Sequence, residues 1–177
     1  MSNIKVFEND LPNDLDLSNE KFIGLDNEAL GLVLGRDPLT LVQLGLESKN
    51  FYLVKLNRKT YKAPNLVKVL SNNKTQFIMH YARQDLMWLK YHLNVKPKNI
   101  FCTKVASKIA RTASSFHGYK DLVKELCGKD ISKKEQQSDW GDPNLSEKQI
   151  KYAASDTEYL FDIRKKLILK LEREKRI

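Results

Sequence analysis

A mixed β-sheet flanked by helices is the α/β fold class that this sequence predicts, and three observations predict it. Short apolar, β-rich runs fill the first half of the chain. Apolar residues at helical spacing fill the second half. A strand–helix–strand crossover joins the two patterns. The 177 residues suit one hydrophobic core, so residues 1–177 are expected to form a single domain.

The elements follow in order. Residues 21–26 (Lys21, Phe22, Ile23, Gly24, Leu25, Asp26) form an apolar run suited to a buried strand. Residues 39–46 and 51–56 read as two more strands, joined by the polar turn Glu47-Ser48-Lys49-Asn50. Pro64-Asn65 opens a short amphipathic helix carrying Leu66, Val69 and Leu70, because proline is tolerated in the first helical turn. Residues 76–80 read as a fourth strand and 85–93 as the helix after it. From Thr103 onward the pattern is helical, broken at Gly118, Gly128 and Gly141-Asp142-Pro143. Ser146 and Gln149 make a capping box for one last helix, whose core stripe runs from Ile150, Ala153 and Ala154 through Leu160, Phe161, Leu167, Ile168 and Leu171. Its end, from Lys165 to Arg176, is mixed-charge and solvated.

Composition excludes several classes. At 41% apolar and 30% charged residues the chain is that of a globular protein. No window approaches the ~18 apolar residues of a membrane helix. The acidic start (Glu8, Asp10, Asp14, Asp16, Glu20) is neither a secretory signal nor a transit peptide, and a cytoplasmic location is expected. Cys102 and Cys127 lack zinc-ligand spacing and read as free thiols in a reducing compartment. The net charge of +9 favours polyanionic partners, nucleic acid above all.

Three acidic motifs stand out. In Asp26-Asn27-Glu28, the two carboxylates lie two apart on a strand and so face one way. Asp85, in His80-Tyr81-Ala82-Arg83-Gln84-Asp85, sits where a helix begins after a strand. Taken singly, these two motifs are better explained as a polar strand end entering a loop and a carboxylate answering a helix dipole. Tyr152 and Asp156 lie four apart on the last helix and share a face. Asp156 is well inside that helix beside its core stripe, where a carboxylate is expensive unless something positive neutralises it. Four acids on three elements have one economical use together, as oxygen ligands for hard divalent cations acting on a phosphodiester.

Asp26/Glu28, Asp85 and Tyr152/Asp156 resemble the three exonuclease motifs of the DEDD superfamily, in the tyrosine branch typified by ribonuclease D. The stretch Gln137-Ser138-Asp139-Trp140 resembles that group too. Within it the chain is similar to the short nano-RNase C group. That similarity rests on Asn9-Asp10-Leu11-Pro12, Ala63-Pro64-Asn65-Leu66-Val67-Lys68, Phe101-Cys102-Thr103-Lys104-Val105-Ala106-Ser107-Lys108, Ile131-Ser132-Lys133 and Leu145-Ser146 through Leu160, which together cover nearly the whole chain. Two positions depart from the family pattern, Asn27 for the usual Thr and Gln84 for an apolar residue. Asn27 should point away from the ligands.

The resemblance implies a ribonuclease H-like exonuclease fold and a two-metal mechanism with Mg2+ or Mn2+. Asp26, Glu28 and Asp156 would hold the first ion, Asp26 and Asp85 would serve the second, and Tyr152 would orient the attacking water. It implies 3′-5′ removal of nucleoside 5′-monophosphates from short RNA, 5′-phosphorylated dinucleotides in particular, by a homo-oligomer, an octamer in that group, and without an appended helical RNA-binding domain. DNA as a substrate, and an inactive RNA-binding scaffold, are the competing readings; no metal ligand is missing, as an inactive scaffold would require. Leu30 is expected to wedge between terminal bases. His80 reads as a structural or substrate-contacting residue rather than a base, and His117 as a phosphate or turn residue. Lys104, Ser107, Lys108 and Arg111 recur at helical spacing. They read equally as a cap for a 5′ phosphate or as a solvated or subunit-facing surface. Trp88 and Trp140 read as packing residues.

Overall fold

The computed structural model describes residues 3–132 and 134–176, so Lys133 of the matching segment Ile131-Ser132-Lys133 lies outside the described residues. Among these, six strands form one mixed sheet in the order β1-β4-β3-β2-β5-β6. The strands are β1 (Asn3–Glu8), β2 (Phe22–Ala29), β3 (Leu39–Gly45), β4 (Asn50–Lys55), β5 (Gln76–Met79) and β6 (Ile100–Cys102). The helices are α1 (Pro64–Leu70), α2 (Ala82–Leu93), α3 (Thr103–Ala110), α4 (Tyr119–Leu122, continued by a wide turn to Cys127), α5 (Glu147–Glu158) and α6 (Leu160–Arg173). β2, β3 and β4 are antiparallel, whereas β1 joins β4, β5 joins β2 and β6 joins β5 in parallel.

This is the expected mixed sheet flanked by helices, with three corrections. β1 and β6 were not foreseen. β1 is a largely exposed edge strand with Lys5 and Glu8 breaking its apolar alternation, and β6 has only three residues. Such strands exist because a neighbour offers a free ladder, and nothing local announces that. β2 runs on through Ala29, so the first acidic motif lies within the strand rather than at its end. The last helix is two helices, broken at Tyr159.

The sheet buries both faces. On one, Ile23, Leu25, Leu39, Val42, Leu44 and Val54 pack with Leu66, Leu70, Trp88 and Leu89 of α1 and α2. On the other, Leu41 and Leu53 pack against Trp140 and Ala153 under α5. Strand alternation therefore assigns Leu41 and Gln43 of β3 to the α5 face and Val42 and Leu44 to the α2 face. A second cluster joins α3, α4 and α6 through Ala106, Leu122, Val123, Ile163 and Leu167. Both tryptophans are buried packing residues.

Candidate active site

Asp26 and Glu28 sit on one face of β2, as their spacing requires. Asn27 points to the other, and its amide donates to the Asp85 backbone carbonyl at 3.3 Å. The departure at Asn27 thus ties β2 to the start of α2. β5 ends at Met79 and the chain turns through His80 and Tyr81, the latter in the left-handed region (φ 61°), before α2 begins. Asp85 lies in the first turn of α2 and is 7% exposed.

α5 brings the remaining pair. Its capping box forms as expected: Gln149 N–H donates to Ser146 Oγ at 3.2 Å and Ser146 N–H donates to Gln149 Oε1 at 2.9 Å. The Gln149 amide also donates to the Asp139 carbonyl at 3.0 Å, tying residues 138–140 to the helix. Trp140 lies 6.0 Å from the Tyr152 ring and fixes its side. Farther along, α5 approaches the sheet through a glycine pair. Gly24 and Gly45 are partners in the β2–β3 register, and a Cβ at Gly45 would stand 2.4 Å from Thr157 Oγ1. Only glycine lets Thr157, and Asp156 beside it, come so close to the sheet.

The helix break follows from an inserted side chain. In a continuous helix the Tyr159 N–H would bond to the Ser155 carbonyl. Here the Tyr119 hydroxyl stands between them, donating to Ser155 O at 2.8 Å and accepting from Tyr159 N–H at 3.2 Å. Insertion into the i→i−4 ladder is a recognised cause of a helix kink.

Asp26, Glu28, Asp85, Tyr152 and Asp156 line one cleft of about 350 Å³, with Asn27, His80, Tyr81, Gln84, Lys104, Tyr119 and Lys120 around them. Crowded buried carboxylates favour the protonated form. Burial lifts the Asp26 carboxyl to about 7, moderated by hydrogen bonds from the Asn27 backbone and Asp85. Burial, then the Asp26 charge, holds Asp85 well above its ordinary range, and the protonated Asp85 donates to Asp26. Glu28 is likewise raised, first by burial and then by the charges of Asp26, Asp156 and Asp85. The Tyr152 hydroxyl is pushed far up by burial, then by Asp156, Glu28 and Asp26, and it hydrogen-bonds Asp156. It is therefore a donor at neutral pH and not a base.

Among the described residues, no three His, Cys, Asp or Glu side chains already stand in metal-holding geometry. The donor set nonetheless fits a hard divalent cation. It is all oxygen, it is clustered, and it is held at a proton affinity that only positive charge relieves.

The secondary residues divide. His80 Nδ1 lies 2.9 Å from Thr103 Oγ1 and its ring 5.7 Å from that of Tyr119, so it is built into the cleft wall. Lys104 also lines the cleft, its ammonium 4.0 Å from the Tyr81 ring centre. Leu30 is 40% exposed in an adjoining hollow with Glu28, Gln84, Trp88 and Trp140. Lys108 is exposed on α3.

The single basic face expected from Lys104, Ser107, Lys108 and Arg111 does not form. Ser107 and Arg111 are buried. The Arg111 guanidinium pairs with Glu125 and donates to Ser107 Oγ and Phe116 O, both at 2.8 Å. Ser107 Oγ in turn meets His117 Nδ1 at 2.9 Å. That side of α3 turns into the layer it shares with α4, so these residues hold the fold there.

Sequence reasoning missed Tyr119, Lys120 and Gln43. Tyr119 carries no local signal that distinguishes it from a packing tyrosine. Gln43 does: it is a lone amide within the apolar run Leu39, Leu41, Val42, Leu44, where a buried polar group needs a reason.

The mixed sheet and the acid cleft built from three separated motifs are those of a ribonuclease H-like exonuclease. The 3′-5′ exonuclease family model matches residues 6–172. Ribonuclease D of Gluconacetobacter diazotrophicus is 34% identical over 161 residues, which is 91% of this chain and 40% of that protein. The Xanthomonas oryzae ribonuclease D is 37% identical over 56% of this chain and 27% of its own length. The chain thus spans less than half the length of these curated relatives. Among solved structures, Brucella melitensis NrnC bound to pGG superposes with a TM-score of 0.93 at 39% identity, covering 99% of this chain and 85% of the other. The same protein with bound Mg2+ gives 0.92 at 38% identity, covering 98% and 84%. The chain belongs to the 3′-5′ exonuclease family.

Proposed function

We propose that the protein is a two-metal 3′-5′ exoribonuclease of short RNAs, 5′-phosphorylated dinucleotides above all, releasing nucleoside 5′-monophosphates. The observation that carries this reading is the convergence of Asp26, Glu28, Asp85, Tyr152 and Asp156, from β2, α2 and α5, on one cleft. Divalent cations, when bound, would supply Lewis-acid stabilisation of the attacking and leaving oxygens. Asp26, Glu28, Asp85 and Asp156 would hold them. Tyr152, kept protonated, would orient the water by donating a hydrogen bond. The kinship to a structure titled with Mg2+ supports the cation class, with Mg2+ and Mn2+ both suited to oxygen ligands.

Short RNA is favoured by kinship to a neighbour whose structure is titled as bound to pGG. Leu30 would act as a wedge beside the terminal bases. Of the four residues considered for a 5′ phosphate, Lys104 is the one at the cleft, joined there by Lys120; both are point charges suited to phosphate. The net charge of +9 favours the competing reading, a general nuclease for RNA or DNA, because longer strands release more counterions.

The two readings give opposite length profiles. A 5′-phosphorylated dinucleotide is expected to be cleaved with Mg2+ at least as fast as a heptamer of RNA or DNA, at low and moderate salt, and to slow when its 5′ phosphate is removed. A heptamer that is faster throughout, with no effect of the phosphate, would make this a general exonuclease.

Assembly is part of the proposal. Leu32, Val33 and Leu34 of the loop after β2, with Met87 and Tyr91 of α2, leave large apolar side chains exposed. A second copy of this chain is the occupant that would cover them, giving a homo-oligomer, an octamer by resemblance. Light scattering is expected to report a mass well above 20.5 kDa at micromolar concentration, and a 20.5 kDa particle would remove the proposal.

A further inference from the structure

We infer that Gln43 is a positioning residue for the Glu28 carboxylate, and through it for the divalent cation. Gln43 lies mid-way along β3, at the centre of the sheet. Its partners in register are Asp26 on β2 and Leu53 on β4, and Glu28 is paired with Leu41, the next residue on the same face of β3. Directly opposed antiparallel residues share a face and stand side by side. The Gln43 amide therefore belongs to the layer that holds the two strand carboxylates, beneath α5.

It is fully buried, at 0% exposure, and neither its amide nitrogen nor its oxygen completes a hydrogen bond of ordinary geometry among the described residues. Leaving a buried amide unmatched is costly, because the group has given up its hydrogen bonds to water. A leucine would fill this place among Leu41 and Leu53 without that penalty. Asp26 stands directly across from Gln43 and Glu28 one step along the same face, and the amide, as a side-chain donor, lowers the Glu28 carboxyl against the burial and charges that raise it. An N–H aimed at one carboxylate oxygen fixes the rotation of the group and leaves the other oxygen for a cation. Partners behind metal ligands act in this way, and their loss typically lowers metal affinity by about 10–100-fold.

The inference rests on the proposed metal site, and one experiment separates the two. Mn2+ binding is measured by calorimetry without nucleic acid for the wild type, Gln43→Met and Gln43→Leu, with melting temperatures in EDTA. Gln43→Met keeps length and shape without the donor. The expected result is about 10–100-fold weaker Mn2+ binding in both variants, an equal rise in the metal concentration needed for half-maximal cleavage, and melting in EDTA unchanged or higher. Wild-type Mn2+ affinity in the variants would overturn the role of Gln43 alone. A melting temperature in EDTA well below wild type, or failure of both variants to fold, would make the amide a core residue and overturn it equally. A wild-type protein that binds no Mn2+ would remove the metal site itself.

Discussion

Replacing Asp85 by Asn, or Asp156 by Ala, is expected to lower cleavage at saturating Mg2+ by about 10³-fold or more, since a Lewis-acid contribution of several kcal/mol is lost at 1.36 kcal/mol per tenfold. The fold should survive. Asp85 and Glu28 are raised first by burial and then by neighbouring carboxylates, so removing one carboxylate from the cluster relieves both costs in the metal-free protein. The direction with pH follows. Asp26 has its folded pKa raised from 3.8 to about 7, so it binds its proton more tightly folded than unfolded. Its contribution to stability is complete below the unfolded value and is lost as pH rises through the folded one. Wild-type protein in EDTA should therefore melt progressively lower between about pH 4 and pH 8, and Mg2+ should restore it at the upper end. Asp85→Asn should flatten that slope and melt at or above wild type in EDTA at pH 8. Near-wild-type turnover in either variant, or an EDTA melting curve that rises with pH, would show that these carboxylates are not the metal site.

Tyr152→Phe is expected to reduce turnover on the order of 10²-fold, the scale of losing one well-placed orienting contact. Mn2+ affinity and substrate binding should stay near wild type. The hydroxyl is held protonated by burial and by Asp156, Glu28 and Asp26, so it gives a hydrogen bond and takes no proton. The pH dependence of turnover should accordingly keep its shape in the variant, only displaced downward. The ring remains packed against Trp140, so stability should change little. A variant that cleaves normally would reduce Tyr152 to a packing residue of α5, whereas a changed pH profile would make it a base.

Periodicity and local chemistry determined a large share of this molecule. The buried runs at β2, β3, β4 and β5, the proline start of α1 and the capping box of α5 are short-range signals, complete within a few residues of the sequence. The spacings 26/28 and 152/156 already fix which carboxylates share a face, because strand and helix geometry do so whatever the surroundings. That the three motifs meet was legible as a resemblance and as an argument from the expense of an unneutralised Asp156. Nothing local required it.

The tertiary structure decided the rest. β1 and β6 are strands only because β4 and β5 have free edges. The break at Tyr159 exists because a hydroxyl 40 residues away inserts between Ser155 O and Tyr159 N. Arg111 and Ser107 share a helix face with Lys104 by spacing alone, yet their surroundings reverse their meaning. α4 and Glu125 close over Arg111, while Lys104 is left open beside Tyr81. Spacing along one element says which side chains point together. Only the packing of other elements onto that face says whether they point into water, into a partner or into a site, because burial and pairing are properties of the neighbours and not of the segment.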